Sequence, residues 1–257
     1  AWLKEGEQAF LAGNLPGMKT MVEKILAKEP KSAPGRMVLA RHTPGSGQTA
    51  TADQLLQEIA GDKSLWSGYQ AQAWGLRAGL VLEQAGKTIP QLPQAEQPAR
   101  LTEAAKTIND YANQALALNA NQPEAHLTLA MLAAAGGQAA MQNAAVRADI
   151  RKHLDAALTA NPGHVQALMM RFQLNGMESN NDGAITDATA LLKAASEIHQ
   201  VRVMLIQLLA QARRWPEAWQ QVEELQKRKV PQADQIRTQL QQMQQAATGG
   251  GSRGGKK

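Results

Sequence analysis

The chain has 257 residues, enough for one or two globular domains or for one elongated array. It contains no cysteine, which excludes disulfides, cysteine-ligated zinc and thiol catalysis. The net charge is +5: residues 198–257 carry 10 Lys/Arg and 4 Asp/Glu, a balance of +6, whereas residues 1–197 carry a balance of −1. Helix formers such as Ala, Leu and Gln dominate and aromatics make up only 4%, so we expect an all-α protein. No apolar run reaches the roughly 18 residues of a membrane span.

Small and large residues recur along the chain at helix-pair spacings. The series starts at Trp2, and related spacings return after Ala73-Trp74 and Ala125-His126. A last clear unit runs from His199 to Pro231. The first unit has the fullest pattern: Trp2, Gly6, Ala9, Gly13, Met18, Val22, Ile25 and Pro30. This pattern resembles the tetratricopeptide repeat, a helix–turn–helix unit of about 34 residues.

The resemblance implies an all-α solenoid of about six degenerate helix A–helix B units. They are expected to begin near residues 1, 33, 71, 123, 165 and 199. Insertions between helix A and helix B are expected at Lys87–Pro98 and Gln138–Ala145. A polar capping helix at about Gln232–Ala246 would end a repeat domain of residues 1–246, followed by a flexible Gly/Lys-rich tail at 247–257.

The chain departs from the family pattern at Phe172 and at the turn formed by Arg213 and Arg214. Phe172 stands where a small residue is expected. Arg213 and Arg214 replace the Gly-Asp that opens the turn between helix A and helix B. Because of Phe172, the uneven repeat spacings and the weak second unit at about residues 34–61, the array is expected to be irregular.

The segment from His42 to Thr49, HTPGSGQT, resembles a phosphate-binding loop. Its first glycine position is His42, and Gln48 replaces the lysine that would reach the phosphates. No Val/Ile-rich strand precedes it. We therefore interpret the segment as the turn between helix A and helix B, with Thr49 or Thr51 capping the second helix.

Other candidate chemistry is sparse. The five histidines show no ligand spacing on one helix face, so we interpret His153 and His164 as surface or packing residues. The Asp/Asn-rich stretch around Gly183 lacks a calcium-loop pattern, and a helix capped at Asn181 or Asp182 is the simpler interpretation. No nucleophile–base arrangement is present. We expect no cofactor, no metal and no enzymatic activity.

The resemblance implies a protein-binding scaffold with a concave groove lined by helix A. The Lys/Asn carboxylate clamp of chaperone-binding relatives is absent, because the corresponding positions hold Leu3, Glu7, Leu127 and Met131. Similarity to bacterial envelope assembly and secretion factors implies a periplasmic or membrane-anchored location. A cytoplasmic location remains an alternative. Candidate groove residues for the protein or peptide partner are Glu5, Arg41, Arg77, Thr128, Arg171 and Gln207.

Two alternatives remain open. The array could be a self-association module that forms homo-oligomers. The C-terminal cations could instead bind nucleic acid or an anionic surface, although few aromatic residues are interleaved with them. That candidate basic patch comprises Arg202, Arg213, Arg214, Lys227, Arg228, Lys229 and Arg237.

Overall fold

The computed structural model describes residues 15–29, 31–42 and 49–249. These residues form thirteen α-helices and one 3₁₀ turn, and none of them lies in a strand. The predicted all-α fold is therefore confirmed. In chain order the helices are α1 Leu15–Lys28, α2 Ala33–His42, α3 Thr49–Gly61, α4 Ser67–Thr88, α5 Gln97–Leu118, α6 Pro123–Ala134, α7 Gly137–Gln142, α8 Ala144–Ala160, α9 Val165–Met177, α10 Asn181–Ala194, α11 His199–Gln211, α12 Trp215–Lys227 and α13 Ala233–Gly249.

The helices group into repeats, each a helix A packed on a helix B. The complete pairs are α2–α3, α4–α5, α6–α8, α9–α10 and α11–α12, and α1 is the helix B of the first repeat. Four of the predicted starts fall on the first residue of a helix A, at 33, 123, 165 and 199. The third repeat begins at Ser67, four residues before the predicted start. The chain divides into two compact units, residues 1–160 and residues 161–257.

Both predicted insertions lie inside a repeat, between helix A and helix B. After α4 the chain forms the 3₁₀ turn Ile89–Gln91, and Ile89 is buried. After α6 it forms the short helix α7, which contacts both α6 and α8. The insertions therefore lengthen the connection within a repeat without breaking the pairing of its two helices.

Small residues let neighbouring helices approach closely in the first compact unit. Ala73 and Ala78 on α4 and Ala125 on α6 are fully buried. A Cβ added at Gly75 would lie 3.1 Å from the backbone nitrogen of Ala125 and 3.2 Å from the Cβ of Glu124. A methyl group at these distances would crowd α6, whose atoms would have to move by a few tenths of an ångström. Glycine at position 75 thus relieves crowding where one repeat packs on the next.

Three helices of the second compact unit end in the same left-handed turn. Ser179, Arg213 and Lys229 have φ values of 56°, 56° and 55°. In each case the residue and its successor donate backbone hydrogen bonds to the preceding turn; Arg214 N, for example, donates to Leu209 O at 2.8 Å. This pattern is a Schellman motif, in which glycine is the favoured residue. The geometry explains why the family pattern has glycine where this chain has Arg213.

The predicted capping helix forms as α13. Its Ala233, Ile236 and Leu240 are buried, and α13 packs against α11 and α12. The helix continues to Gly249, three residues past the predicted end. Phe172, predicted to disturb the array, is only 4% exposed and belongs to the core.

Some predictions fall outside the described residues. Helix A of the first repeat, with Trp2, is one of them, and residues 43–48 of the HTPGSGQT segment are another. The chain is helical up to His42 and again from Thr49, as the turn interpretation requires. Thr51 lies inside α3 and therefore does not cap it.

Candidate functional site

Arg77, one of the candidate groove residues, is buried inside the helix stack. Its guanidinium donates to both carboxylate oxygens of Asp53, at 2.7 and 3.2 Å, and to the Tyr111 hydroxyl at 3.1 Å. It also lies over the rings of Trp74 and Tyr111, 5.0 and 4.4 Å from their centroids. With 6% of its surface exposed, Arg77 joins α3, α4 and α5 and is not available to a partner.

Arg171, a second candidate, forms an ion pair across its own repeat. Its Nη2 donates to Oδ1 of Asp187 at 2.6 Å, and Asp187 is 1% exposed. The amide of the buried Asn175 donates to the other oxygen of the same carboxylate at 2.8 Å. Asn175 in turn accepts from Asn180, the N-cap of α10. The cap is therefore one residue earlier than predicted, and Asp187 is a structural anion of the repeat core.

Arginine on helix A reaches helix B in two further repeats. In the last repeat Arg202 donates to the Gln221 side chain at 2.6 Å and to the Ser196 carbonyl at 3.2 Å. In the second repeat Arg36 lies 3.3 Å from Glu58. These cations, together with Arg77 and Arg171, therefore hold helices together.

The remaining candidate groove residues divide clearly. Thr128 is 4% exposed, and its hydroxyl donates to the Glu124 carbonyl at 2.8 Å, so it too is a core residue. Gln207 is exposed on α11. Glu5 and the side chain of Arg41 lie outside the described residues. Of the six, only Gln207 is described as an exposed helix A position.

An uncharged stripe is the main exposed feature of helix A in the second compact unit. The exposed residues of α11 start at Gln200 and follow at i+4, i+7 and i+11. The positions 34 residues earlier, which start at Gln166, form the same series on α9. The stripe contains only glutamine and methionine, and all but the half-buried Met170 are exposed. Only Gln207 of these residues was predicted from the sequence, although their 34-residue recurrence was a usable signal. We call this set the Gln/Met face: Gln166, Met170, Gln173 and Met177 on α9, with Gln200, Met204, Gln207 and Gln211 on α11.

Charge is nearly absent from the two helices that carry this face. Between Val165 and Met177 the only charged side chain is Arg171, and between His199 and Gln211 it is Arg202. Arg171 is bound to Asp187, and Arg202 is 5% exposed. Helix A therefore presents hydrogen-bonding amides and thioethers to solvent.

Four residues of the candidate basic patch are buried or lie beside carboxylates. Arg202 is buried, and burial lowers the pKa of its guanidinium. Arg214 donates to both carboxylate oxygens of Glu217 and thereby lowers the pKa of that carboxyl. Arg228 pairs with Glu197 and Glu224, and Lys227 lies 3.7 Å from Glu224.

Three members of the patch are exposed and make no ion pair among the described residues: Arg213, Lys229 and Arg237. Arg213 and Lys229 occupy the two left-handed helix ends described above. Arg237 lies in a cleft of about 590 Å³ between α12 and α13. Four glutamines line that cleft together with Glu223, so the cleft is polar but not uniformly basic.

Two histidines that are far apart in the sequence are in contact. His126 on α6 and His153 on α8 approach within 3.0 Å through their Nδ1 atoms. No group of three or more His, Asp or Glu side chains in the described part of the chain could hold a metal ion. Nor is any helix within those ranges long and apolar enough to cross a membrane.

Solved structures that resemble this chain include tetratricopeptide-repeat proteins. A thermophilic tetratricopeptide-repeat protein of Thermus thermophilus matches with a TM-score of 0.57 and 16% identity, over 81% of this chain and 97% of that one. PilF of Pseudomonas aeruginosa matches with a TM-score of 0.51 and 14% identity, over 93% of this chain and 96% of that one. No family model and no curated protein matches the sequence. The chain therefore has the tetratricopeptide-repeat fold.

Proposed function

We propose that the protein is a noncatalytic scaffold that binds a low-charge segment of a partner protein on helix A of its repeats. The observation that carries this proposal is the Gln/Met face, which repeats after 34 residues on α9 and α11. Stacked repeats use such recurring positions as extended binding surfaces. The partner segment is a peptide or helix whose contacting side is apolar or amide-rich.

The side-chain chemistry of the face favours a partner of this kind. Methionine is unbranched and polarisable, so Met177 and Met204, which are 57% and 40% exposed, can adapt to an irregular apolar surface. Glutamine amides both donate and accept, so they can satisfy the backbone groups of a docked peptide. Contacts of this type depend little on ionic strength.

Charge-directed binding has less support. Four of the seven candidate cations are buried or paired with carboxylates inside the second compact unit. Arg213 and Lys229 lie at two separate helix ends, and Arg237 lies in a cleft that also contains Glu223. A nucleic-acid surface would be expected to combine several free cations with stacking aromatics.

The test uses one substitution at two places. Gln207 is exposed on α11, and Gln220 is exposed on α12, so Gln207→Glu and Gln220→Glu add the same charge to helix A and to helix B. Both variants and the unaltered chain are used to capture partners from a lysate of the source organism in about 0.5 M NaCl, several times the physiological ionic strength, with identification by mass spectrometry.

We expect a discrete protein that the unaltered chain and Gln220→Glu retain alike. Gln207→Glu and Met204→Glu should lower its recovery about tenfold, equivalent to roughly 1.4 kcal/mol. Equal loss from Gln207→Glu and Gln220→Glu would contradict the proposed surface. A parallel capture at low salt that recovers only nucleic acid, with nothing retained at about 0.5 M NaCl, would contradict the scaffold itself.

We further propose that the scaffold acts in assembly of a bacterial envelope or secretion complex, in the periplasm or at a membrane. The absence of cysteine suits an oxidising compartment. The proposal is tested by fractionating cells of the source organism and probing each fraction for the chain. Exclusive recovery from the cytoplasm would contradict it.

A further inference from the structure

The His126–His153 contact has a defined proton arrangement. Nε2 of His126 lies 3.0 Å from the carbonyl oxygen of Ala120, which can only accept, so this nitrogen carries a proton. In a neutral ring the Nδ1 of His126 then bears a lone pair. It faces Nδ1 of His153 at 3.0 Å, so His153 donates through Nδ1–H. The two imidazoles thus share one proton across the interface between α6 and α8.

The first added proton leaves this contact intact. In the neutral pair Nε2 of His153 is unprotonated, and it lies 3.8 Å from Oδ1 of Asp149. Protonation there charges His153 but preserves its Nδ1–H as the donor to His126. A second proton must go to Nδ1 of His126. Two N–H groups on two cations would then face each other at 3.0 Å, an arrangement without an acceptor.

The surroundings of His153 weigh against its charged form. Burial lowers its pKa, and His126 and Lys152 act in the same direction, whereas Asp149 on its own helix raises it. α7, which also packs on α8, has no titratable residue. Glu124, the only carboxylate on α6, accepts a hydrogen bond from the Gln122 side chain.

We propose that the His126–His153 pair is an acid-sensitive joint between α6 and α8. The joint holds while the two rings share a single Nδ1 proton, and it separates when both rings are fully protonated. Separation would move α6, the helix A of the fourth repeat, whose Met131 is 42% exposed. The predicted effect is a local loosening of one repeat, because no other histidine pair in the described part of the chain links two helices.

The sign of the pH effect follows from linkage. The pKa of His153 is lowered from its ordinary value of 6.5 in the folded chain, so the unfolded chain binds more protons below that pH. The contribution of His153 to the free energy of unfolding is therefore constant above the ordinary pKa. It falls as the pH drops through 6.5 and stops falling below the folded-state pKa of His153.

The test combines imidazole NMR with amide hydrogen exchange, corrected for the intrinsic effect of pH on exchange. At about pH 7.5, above the ordinary histidine pKa, ¹⁵N shifts should report the Nε2–H tautomer for His126 and the Nδ1–H tautomer for His153. On acidification to about pH 5, exchange of α6 and α8 amides should accelerate at least about tenfold more than exchange of α10 and α12 amides. Equal acceleration in all four helices would overturn the proposal.

Two variants separate this mechanism from general acid destabilisation. His153→Asn keeps an N–H donor near the former Nδ1 but cannot become charged, so the excess acceleration should disappear. Asp149→Asn removes the carboxylate that favours the charged ring, so the loss of stability on acidification should grow. Persistence of the excess in His153→Asn would overturn the proposal. If that variant does not fold, full protonation of both rings in the unaltered chain with unchanged α6 and α8 amide shifts would do so.

Discussion

Arg171 and Asp187 form a bidentate ion pair in which the carboxylate is almost completely buried and the arginine is about one-quarter exposed. Arg171 belongs to helix A and Asp187 to helix B of the same repeat. Asn175 supplies a further hydrogen bond to the carboxylate, so both of its oxygens are satisfied. The pair therefore aligns the two helices that carry and support the Gln/Met face on α9.

The first prediction concerns loss of this anion. Asp187→Ala removes a carboxylate that accepts from the guanidinium of Arg171 and from the buried amide of Asn175. Removing one partner of a buried pair typically costs about 3–5 kcal/mol. We expect a loss of that size in the free energy of unfolding, measured by urea denaturation at neutral pH.

The control is Glu217→Ala, which removes a surface carboxylate from the Arg214 pair in the same compact unit. Exposed ion pairs contribute little to stability because solvent screens them, so the midpoint of urea denaturation should hardly change in Glu217→Ala. Comparable losses in the two variants would contradict the structural role assigned to Asp187.

The second prediction compares two glycines of α4. Gly75 contacts the backbone of α6, whereas a Cβ at Gly86 would meet nothing within 4 Å. Alanine is the better helix former by up to about 1 kcal/mol, so Gly86→Ala should raise the stability. Gly75→Ala should lower it, because the added methyl group would lie 3.1 Å from the backbone nitrogen of Ala125 and force the two helices apart there. Thermal unfolding of both variants measures the difference, and equal stabilisation would contradict the close packing.

The third prediction concerns the left-handed end of α11. Arg213 has a φ of 56°, a region that costs a non-glycine residue about 1–2 kcal/mol. Arg213→Gly should therefore stabilise the protein by about 1 kcal/mol, and Arg213→Ala should not. Denaturation midpoints of the two variants test this. If Arg213→Gly and Arg213→Ala raised the denaturation midpoint equally, the gain in stability would come from removal of the charge and not from relief of backbone strain.

The fourth prediction concerns Arg77. Lysine retains the charge but cannot reach Asp53 with two parallel bonds, nor stack on Trp74 and Tyr111. Arg77→Lys should lower the free energy of unfolding by about 1.5–3 kcal/mol, the value of hydrogen bonds to a charged group. Tyr111→Phe, which loses only the hydroxyl, should lower it less. Urea denaturation followed by tryptophan fluorescence checks both variants. An unchanged free energy of unfolding in Arg77→Lys would contradict the bridging role.

The repeat boundaries were predictable because helix-pair spacing is local. Small residues, turn residues and the two insertions mark where each helix begins and ends, and the structure follows these marks at 33, 123, 165 and 199. The predicted N-cap of α10 was wrong by one residue. Asn, Asp and Ser can all cap a helix, and only the backbone geometry selects Asn180.

The surface residues were harder to predict. A polar residue on helix A can face solvent or reach helix B, and periodicity alone does not distinguish the two. Arg77 and Thr128 were assigned to the groove but are buried; Arg77 reaches Asp53 on a neighbouring helix, whereas the Thr128 hydroxyl donates to the Glu124 carbonyl of its own helix. The His126–His153 contact joins residues 27 positions apart across an insertion, so no short motif contains it.

The most direct test of the proposed helix A surface is site-specific photocrosslinking in cells of the source organism. A photoreactive amino acid replaces Gln207 on α11 in one strain and Gln220 on α12 in another, and both sites are exposed. We predict a discrete protein adduct from position 207 and none from position 220. The same adduct from position 220, or no protein adduct from position 207, would contradict helix A as the binding surface.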